Sequence, residues 1–63
     1  MTEDEARKIL GDSIEKDGRL SDVGECYVKW SPSDKWAVLD GNYFTPEIIE
    51  AIAWWMKNKG TPT

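Results

Sequence analysis

The chain has 63 residues and a formal charge of −4, from twelve acidic and eight basic side chains. This length is enough for one small domain, which buries only about 60% of the surface that its unfolded chain exposes. A large internal ligand cavity is therefore excluded, and the negative charge disfavours binding to phosphate backbones. With one Cys and no His, the chain cannot form an internal disulfide and lacks the commonest metal ligand. We expect a single domain over residues 1–63, with residues 60–63 as a flexible tail.

The composition also indicates where the protein works. A lone thiol, Cys26, fits a reducing compartment, and the start Met-Thr-Glu-Asp-Glu lacks the basic residues and the apolar run of a signal peptide. No apolar run approaches the roughly 20 residues that span a bilayer. We therefore expect a cytoplasmic protein without a membrane segment.

A first helix is predicted to begin at Thr2. Thr2 and Glu5 have the spacing of a capping box, in which each side chain accepts a hydrogen bond from the backbone amide of the other. Apolar residues then recur at helical intervals, and Gly18 is suited to end the helix. Gly11 weakens the middle of this helix by about 1 kcal/mol relative to Ala. We interpret Gly11 as a point of close packing against another element.

The middle of the chain predicts a β-hairpin. Residues 19–24 lack a sustained period and are interpreted as a connection. Alternating side chains over residues 26–30 predict a strand, the Pro-containing segment 31–34 predicts a turn, and 36–39 predicts the returning strand. Residues 42–44 are long enough only for a short third strand or an extended lead-in to the next element.

A second helix is predicted to begin after Thr45. Thr45 is a favourable cap, Pro46 needs no amide partner at the first helical position, and Glu47 complements the helix dipole. The stripe that faces the core consists of Ile48, Ile49, Ile52, Trp55 and Met56.

Together these elements predict an α+β domain in the order helix, β-hairpin, helix, with room for a short third strand at 42–44. The antiparallel sheet is expected to carry both helices on one face. The predicted core draws on Ile9, Leu10, Ile14, Leu20, Cys26, Val28, Trp30, Leu39 or Val38, Phe44, Ile48, Ile52, Trp55 and Met56.

The pair Trp54-Trp55 is the sequence feature that bears most directly on function. Adjacent helical residues are separated by about 100°, so Trp54 lies outside the stripe that contains Trp55. Its neighbours on the helix surface are polar: Glu47, Glu50, Lys57 and Asn58. Trp54 is therefore either covered by another element or available to a partner, because Trp is enriched at binding hot spots. The candidate partner contacts are Trp54, Trp36, Tyr27, Glu47 and Glu50.

No catalytic, metal or cofactor site is predicted. Without His there is no Cys/His or Ser/His/Asp system, and the acidic residues lie mostly at helix starts, helix faces and turns. Aligning Gly18 with the sixth position of a calcium-binding loop places Gly24 where a bidentate acid is required, so the ligand set fails. The five glycines form no phosphate-binding pattern. The chain is therefore predicted not to be an enzyme.

Two alternatives to a protein-binding role remain open at this point. Tyr27, Lys29, Lys35 and Trp36 could stack on and pair with single-stranded nucleic acid, although the net negative charge makes such binding weak. Alternatively, the aromatic residues could be buried against a second copy of the chain, since a small domain often needs self-association to be stable. That reading describes a structural homodimer.

Segments spread over most of the chain carry a recognisable pattern. They are Trp30-Ser31-Pro32-Ser33-Asp34, Leu39-Asp40-Gly41, Phe44-Thr45 and Glu50-Ala51-Ile52-Ala53-Trp54-Trp55-Met56, with Ile9-Leu10-Gly11-Asp12 near the start. This pattern resembles a group of very short proteins encoded by bacteriophages and prophages. The resemblance implies no catalytic residues. It implies a small acidic accessory protein of the bacterial cytoplasm that binds another protein, such as a host factor or a defence complex.

Overall fold

A computed structural model describes residues 1–23, 26–41 and 44–60. The three strands form one antiparallel sheet in the order β1-β2-β3, so the predicted α+β fold is confirmed. The elements in chain order are α1 (Glu3–Leu10), a 3₁₀ turn (Gly11–Ser13), β1 (Leu20–Val23), β2 (Cys26–Trp30), β3 (Val38–Asp40) and α2 (Pro46–Lys59).

Helix α1 begins as predicted and ends earlier than predicted. The Glu5 amide donates to the Thr2 hydroxyl at 3.2 Å, and the Thr2 amide donates to the Glu5 carboxylate at 3.3 Å, which completes the capping box. The helix ends at Leu10 and not at Gly18, because Gly11 adopts a φ of 54° that breaks the helical backbone. The predicted close packing at Gly11 is wrong, since a Cβ placed there would meet no atom within 4 Å.

A tight loop replaces the second half of the predicted helix. Ile14 forms an antiparallel bridge with Leu20, and between them the Glu15 amide donates to the Arg19 carbonyl at 2.8 Å. The Gly18 amide donates back to the Glu15 carbonyl at 2.9 Å, with Gly18 at a φ of 88°. This loop turns the chain directly into the first strand.

The interpretation of residues 19–24 as a connection is wrong, because Leu20–Val23 forms strand β1. It pairs with β2 through Leu20 opposite Trp30 and Val23 opposite Cys26, with an irregular register between Ser21 and Val23. That irregularity lets Leu20 and Val23, three residues apart, both be buried. A bulge of this kind hides the two-residue alternation by which strands are recognised in sequence.

The predicted hairpin between residues 26–30 and 36–39 is confirmed as β2 and β3, although β3 begins only at Val38. The turn between the strands is closed by Ser31 and Asp34, whose amide and carboxylate lie 2.8 Å apart. The predicted third strand at 42–44 falls partly outside the described residues, as does most of the predicted tail at 60–63. Phe44 lies outside any strand, and the third strand of the sheet is β1.

The core lies between the sheet and the two helices, which are on one face of the sheet. Predicted core residues that are buried are Leu10, Leu20, Cys26, Val28, Trp30, Ile52 and Trp55. Ile9, Ile14, Phe44, Ile48 and Met56 are partly buried against this cluster, while Ala6, Val23 and Ala51 complete it. The prediction that Ile49 faces the core is wrong, because its side chain is 49% exposed. The expectation that Val38 or Leu39 joins the core is wrong, because they are 48% and 45% exposed. Both belong to β3, an edge strand that the helices leave uncovered.

Trp55 connects three parts of the fold. Its indole N–H donates to the Gly18 carbonyl at 2.9 Å, which joins α2 to the loop before β1. The Arg7 guanidinium lies 5.1 Å from the centre of the Trp55 ring, and the Lys59 ammonium lies 5.5 Å from it. Both cations also contact the Glu3 carboxylate. The side chain therefore lies at the centre of the contact between α1, α2 and the loop.

Over the part of the chain that the structure describes, no helix is long and apolar enough to cross a membrane.

We expect Gly41→Ala to destabilise the fold more than Gly11→Ala. Both glycines have positive φ, but a Cβ at Gly41 would lie 2.9 Å from the Cys26 Cα in β2, whereas Gly11 faces open space. Both variants carry backbone strain of about 1–3 kcal/mol, and the clash at Gly41 adds about 1–2 kcal/mol. Urea unfolding measures the difference. Equal losses in the two variants would contradict the close approach of Gly41 to β2.

We also expect Trp55→Phe to cost about 1–2 kcal/mol more than Trp30→Phe. Both indoles are buried, so the change in volume is the same. Only the Trp55 N–H has an acceptor, because Trp30 Nε1 has no hydrogen-bond partner among the described residues. Trp55→Phe also leaves the Gly18 carbonyl without its donor. The same unfolding measurement tests this, and a larger loss for Trp30→Phe would overturn it.

Candidate functional site

The face of the sheet opposite the helices is uncovered. In β2, Cys26, Val28 and Trp30 are directed towards the core, so Tyr27 and Lys29 are directed the other way. Residues that pair across antiparallel strands share a face. We therefore define the open face by Tyr27, Lys29 and their pairing partners, which are Ser21, Val38 and Asp40.

Trp36 adds a large aromatic ring at the border of the open face. It lies between the Ser31–Asp34 turn and β3, and it is 73% exposed. Together with Lys29 and Val38 it lines a shallow groove of about 380 Å³. Tyr27 is 47% exposed. Two aromatic rings and one aliphatic side chain are thus exposed around Lys29, and Lys35 lines the same groove.

A second groove, of about 530 Å³, lies on the other side of Lys29. Its walls include Glu15, Arg19, Ser21 and Tyr27. The Ser21 hydroxyl donates to the Glu15 carboxylate at 3.2 Å, so these two side chains are already paired. Lys29 has no ion-pair partner in the described part of the chain. Lys29 lines both grooves, together with Arg19 in this groove and Lys35 in the groove beside Trp36.

The two ionisable groups whose pKa values differ from the usual ones lie away from the open face. The hydrogen bond from Lys59, followed by that from Arg7, lowers the pKa of the Glu3 carboxyl. The backbone amide of Arg19, 3.2 Å from the carboxylate of Asp17, lowers the pKa of that carboxyl. Both carboxylates take part in contacts around the helix ends and the loop before β1. They are explained by structural roles.

Trp54 is half-buried and packs against the core. Its ring centre lies 6.3 Å from that of Trp55, with 45° between the two planes. The Trp54 backbone carbonyl accepts a hydrogen bond at 2.8 Å from the side-chain amide of Asn58, which lies one turn further along α2. Part of the ring is therefore covered by the molecule itself, and the remainder faces solvent.

The candidate contacts predicted from sequence are divided between two surfaces. Tyr27 lies on the open face and Trp36 at its border. Trp54, Glu47 and Glu50 lie on α2, in the helical layer on the other side of the sheet, and the two glutamates are exposed. The structure does not bring all five residues together into one site.

Sequence reasoning groups Lys29 with Tyr27, Lys35 and Trp36 but misses Val38 as a member of the surface around Trp36. The sequence predicts Leu39 or Val38 in the core, because both are apolar and lie in a strand. The signal that could have identified it is strand register: with Lys29 opposite Val38, the exposure of one implies the exposure of the other.

Residues 1–23, 26–41 and 44–60 contain no group of three or more His, Cys, Asp or Glu side chains that could hold a metal ion. The Cys26 thiol is buried. The open face offers exposed aromatic and aliphatic area beside Lys29. Aromatic side chains are enriched at the contacts between proteins.

Comparison of the chain with protein-family models, with curated proteins and with solved structures gave no match.

We expect Trp36→Ala and Trp54→Ala to differ in their effect on stability. Because the Trp36 ring is mostly in solvent, its removal should change the free energy of unfolding by less than about 0.5 kcal/mol. Removal of the half-buried Trp54 ring should cost about 1–3 kcal/mol through lost core contacts. Urea unfolding of both variants measures this. A large loss for Trp36→Ala would show that the ring has a structural role and would remove it from the candidate surface.

Proposed function

We propose that this chain is a small acidic accessory protein, of the phage type, that acts by binding another protein in the bacterial cytoplasm. The proposed contact surface consists of Tyr27, Lys29, Trp36 and Val38, and we call it the aromatic surface. The observation that carries the proposal is the 73% exposure of the Trp36 ring beside exposed Tyr27 and Val38.

The energy available on this surface supports a binding role. Burying a ring of this size and exposure removes more than about 150 Å² from water, which corresponds to roughly 4 kcal/mol before the costs of association. A micromolar complex needs about 8 kcal/mol net. Trp36 can therefore be a main anchor, while Tyr27 and Val38 supply the surrounding area. The exposed Trp36 ring contributes little to the stability of the fold, so its apolar area is available for binding.

The charge of the chain and its resemblance to very short phage proteins both support a protein as the partner. Small phage accessory proteins commonly bind host or phage proteins, and a net charge of −4 favours encounter with a basic surface. Glu47 and Glu50 on α2 add to this acidic character. Trp54 gives α2 a second exposed aromatic edge, so we keep it as a separate candidate contact.

Affinity capture from the bacterial host tests the proposal. The intact chain is compared with Trp36→Ala, with Trp54→Ala and with Ile49→Ala as a control, because Ile49 is 49% exposed on α2 and lies outside the aromatic surface. We expect a specific partner to be retained by Ile49→Ala and lost by Trp36→Ala, while the variants remain folded by circular dichroism. Loss with Trp54→Ala alone would move the contact to α2. Identical captures by all four proteins would overturn the proposal.

Single-stranded nucleic acid is the second candidate ligand of the aromatic surface. Lys29, Lys35 and Trp36 line the same groove, and Tyr27 lies on the same face. Stacking on two rings with two cations nearby would give binding that weakens steeply with salt. The same capture proteins can be titrated with a fluorescent oligonucleotide at low ionic strength. If the wild-type chain does not bind under those conditions, this candidate is excluded.

A further inference from the structure

A third groove is lined by residues of both helices and of the loop before β1. Its volume is about 390 Å³. Three cationic side chains line it, those of Arg7, Lys16 and Lys59, together with one carboxylate, that of Glu15. A chain with twelve acidic and only eight basic residues thus places three of its cations around one concavity. We call this concavity the cationic groove.

We propose that the cationic groove binds the phosphate group of a small phosphate monoester. The groove shares no residue with the aromatic surface, so this site goes beyond the proposed protein binding and does not depend on it. The cations of Arg7, Lys16 and Lys59 contact the phosphate oxygens, and the organic group of the ligand extends towards the open side of the groove.

The guanidinium of Arg7 is held in place while most of its donors remain unused. Its Nε donates to the Glu3 carboxylate at 3.1 Å, and its Cζ lies 5.1 Å from the centre of the Trp55 ring. The two terminal amino groups donate no hydrogen bond to any residue that the structure describes. They form a planar fork that can bond two oxygens of one phosphate. Glu3 therefore positions this fork without occupying it.

Two lysines add to the charge of the groove. The Lys59 ammonium contacts the other oxygen of the same Glu3 carboxylate, which holds it near the guanidinium. Lys16 is exposed and forms no ion pair within residues 1–23, 26–41 and 44–60. The Glu15 carboxylate, the one acid that lines the groove, already accepts a hydrogen bond from Ser21 at 3.2 Å. Lys16 is thus the cation whose charge a bound anion would neutralise.

The number of cations and the space between them favour a phosphate monoester over a carboxylate. A phosphate monoester has three terminal oxygens, one for each cation, whereas a carboxylate has two oxygens and a single charge. Gly11 also lines the groove, and a Cβ placed there would meet no atom within 4 Å, so the space beside its backbone is open. The volume of the groove lies in the range of small-molecule sites, about 300–1,000 Å³. It therefore has room for an organic group beyond the phosphate.

Titration of the full chain with glycerol 3-phosphate, followed by amide NMR at constant ionic strength, tests the site. We expect saturable shifts centred on Arg7, Gly11 and Lys16, with a dissociation constant on the order of 1 mM because the cations are partly in solvent. Glycerol and acetate serve as controls and should bind more weakly. Absence of saturable shifts up to about 20 mM ligand, or acetate binding as tight as that of glycerol 3-phosphate, would overturn the proposal.

Three variants separate a specific site from a general effect of charge. Lys16→Gln removes the cation without a carboxylate partner and should weaken binding about fivefold. Arg7→Lys keeps the charge but loses the planar fork, and it should also weaken binding. Lys8→Gln is the matched control, because Lys8 is exposed on α1 and does not line the groove; it should leave the dissociation constant unchanged. The NMR spectra verify that each variant is folded. Equal weakening by Lys16→Gln and Lys8→Gln would overturn the site.

Discussion

The hydrogen bond from the Trp55 indole to the Gly18 carbonyl is the interaction on which most of this fold depends. It fixes the loop before β1 against α2, and that loop places Leu20 where it can pair with Trp30. The cation of Arg7 lies near the same ring and so brings α1 to the same point. A chain without disulfides or a predicted metal site has few ways to join elements distant in sequence. A buried Trp ring whose N–H donates a hydrogen bond contributes apolar area to the core, and the hydrogen bond also fixes how the ring is oriented.

The small number of helices explains why one face of the sheet is buried and the other is exposed. Two helices can cover only one face of a three-stranded sheet, and the largest fully buried side chains, Trp30 and Trp55, lie in the core between the helices and that face. The opposite face has no third layer, so Tyr27, Val38 and the nearby Trp36 are exposed. For the same reason, no described residue pairs with the outer edge of β3. The exposure of the aromatic surface thus follows from the small size of the domain.

Local chemistry allowed the sequence to predict the parts of the fold that depend on neighbouring residues. Both helix starts follow from caps at Thr2 and Thr45, which satisfy amides within three residues. The β2 strand follows from simple alternation. Strand β1 could not be recognised because its bulge breaks that alternation. The early end of α1 depends on the backbone of Gly11, and a glycine of this kind is indistinguishable in sequence from one that permits close packing.

The candidate site was predicted less completely, because exposure depends on strand order. Trp36 and Tyr27 were identified as aromatic contacts from their positions in a hairpin. Leu39 or Val38 was predicted in the core, because nothing in the local sequence shows that β3 lies at an edge of the sheet. Trp54 illustrates the reverse case: its position on the helix surface was inferred correctly from angular spacing, but that angle does not determine how much of the ring the rest of the molecule covers.

The separation between Gly18 and Trp55 has a consequence for how the protein is made. The loop, β1 and β2 are synthesised well before α2, and during that interval the Gly18 carbonyl has only water as a partner. The Lys59 side chain, which completes the contact with Glu3, is added later still. The contact between α1, α2 and the loop before β1 can therefore form only after Trp55 and Lys59 have been added to the chain.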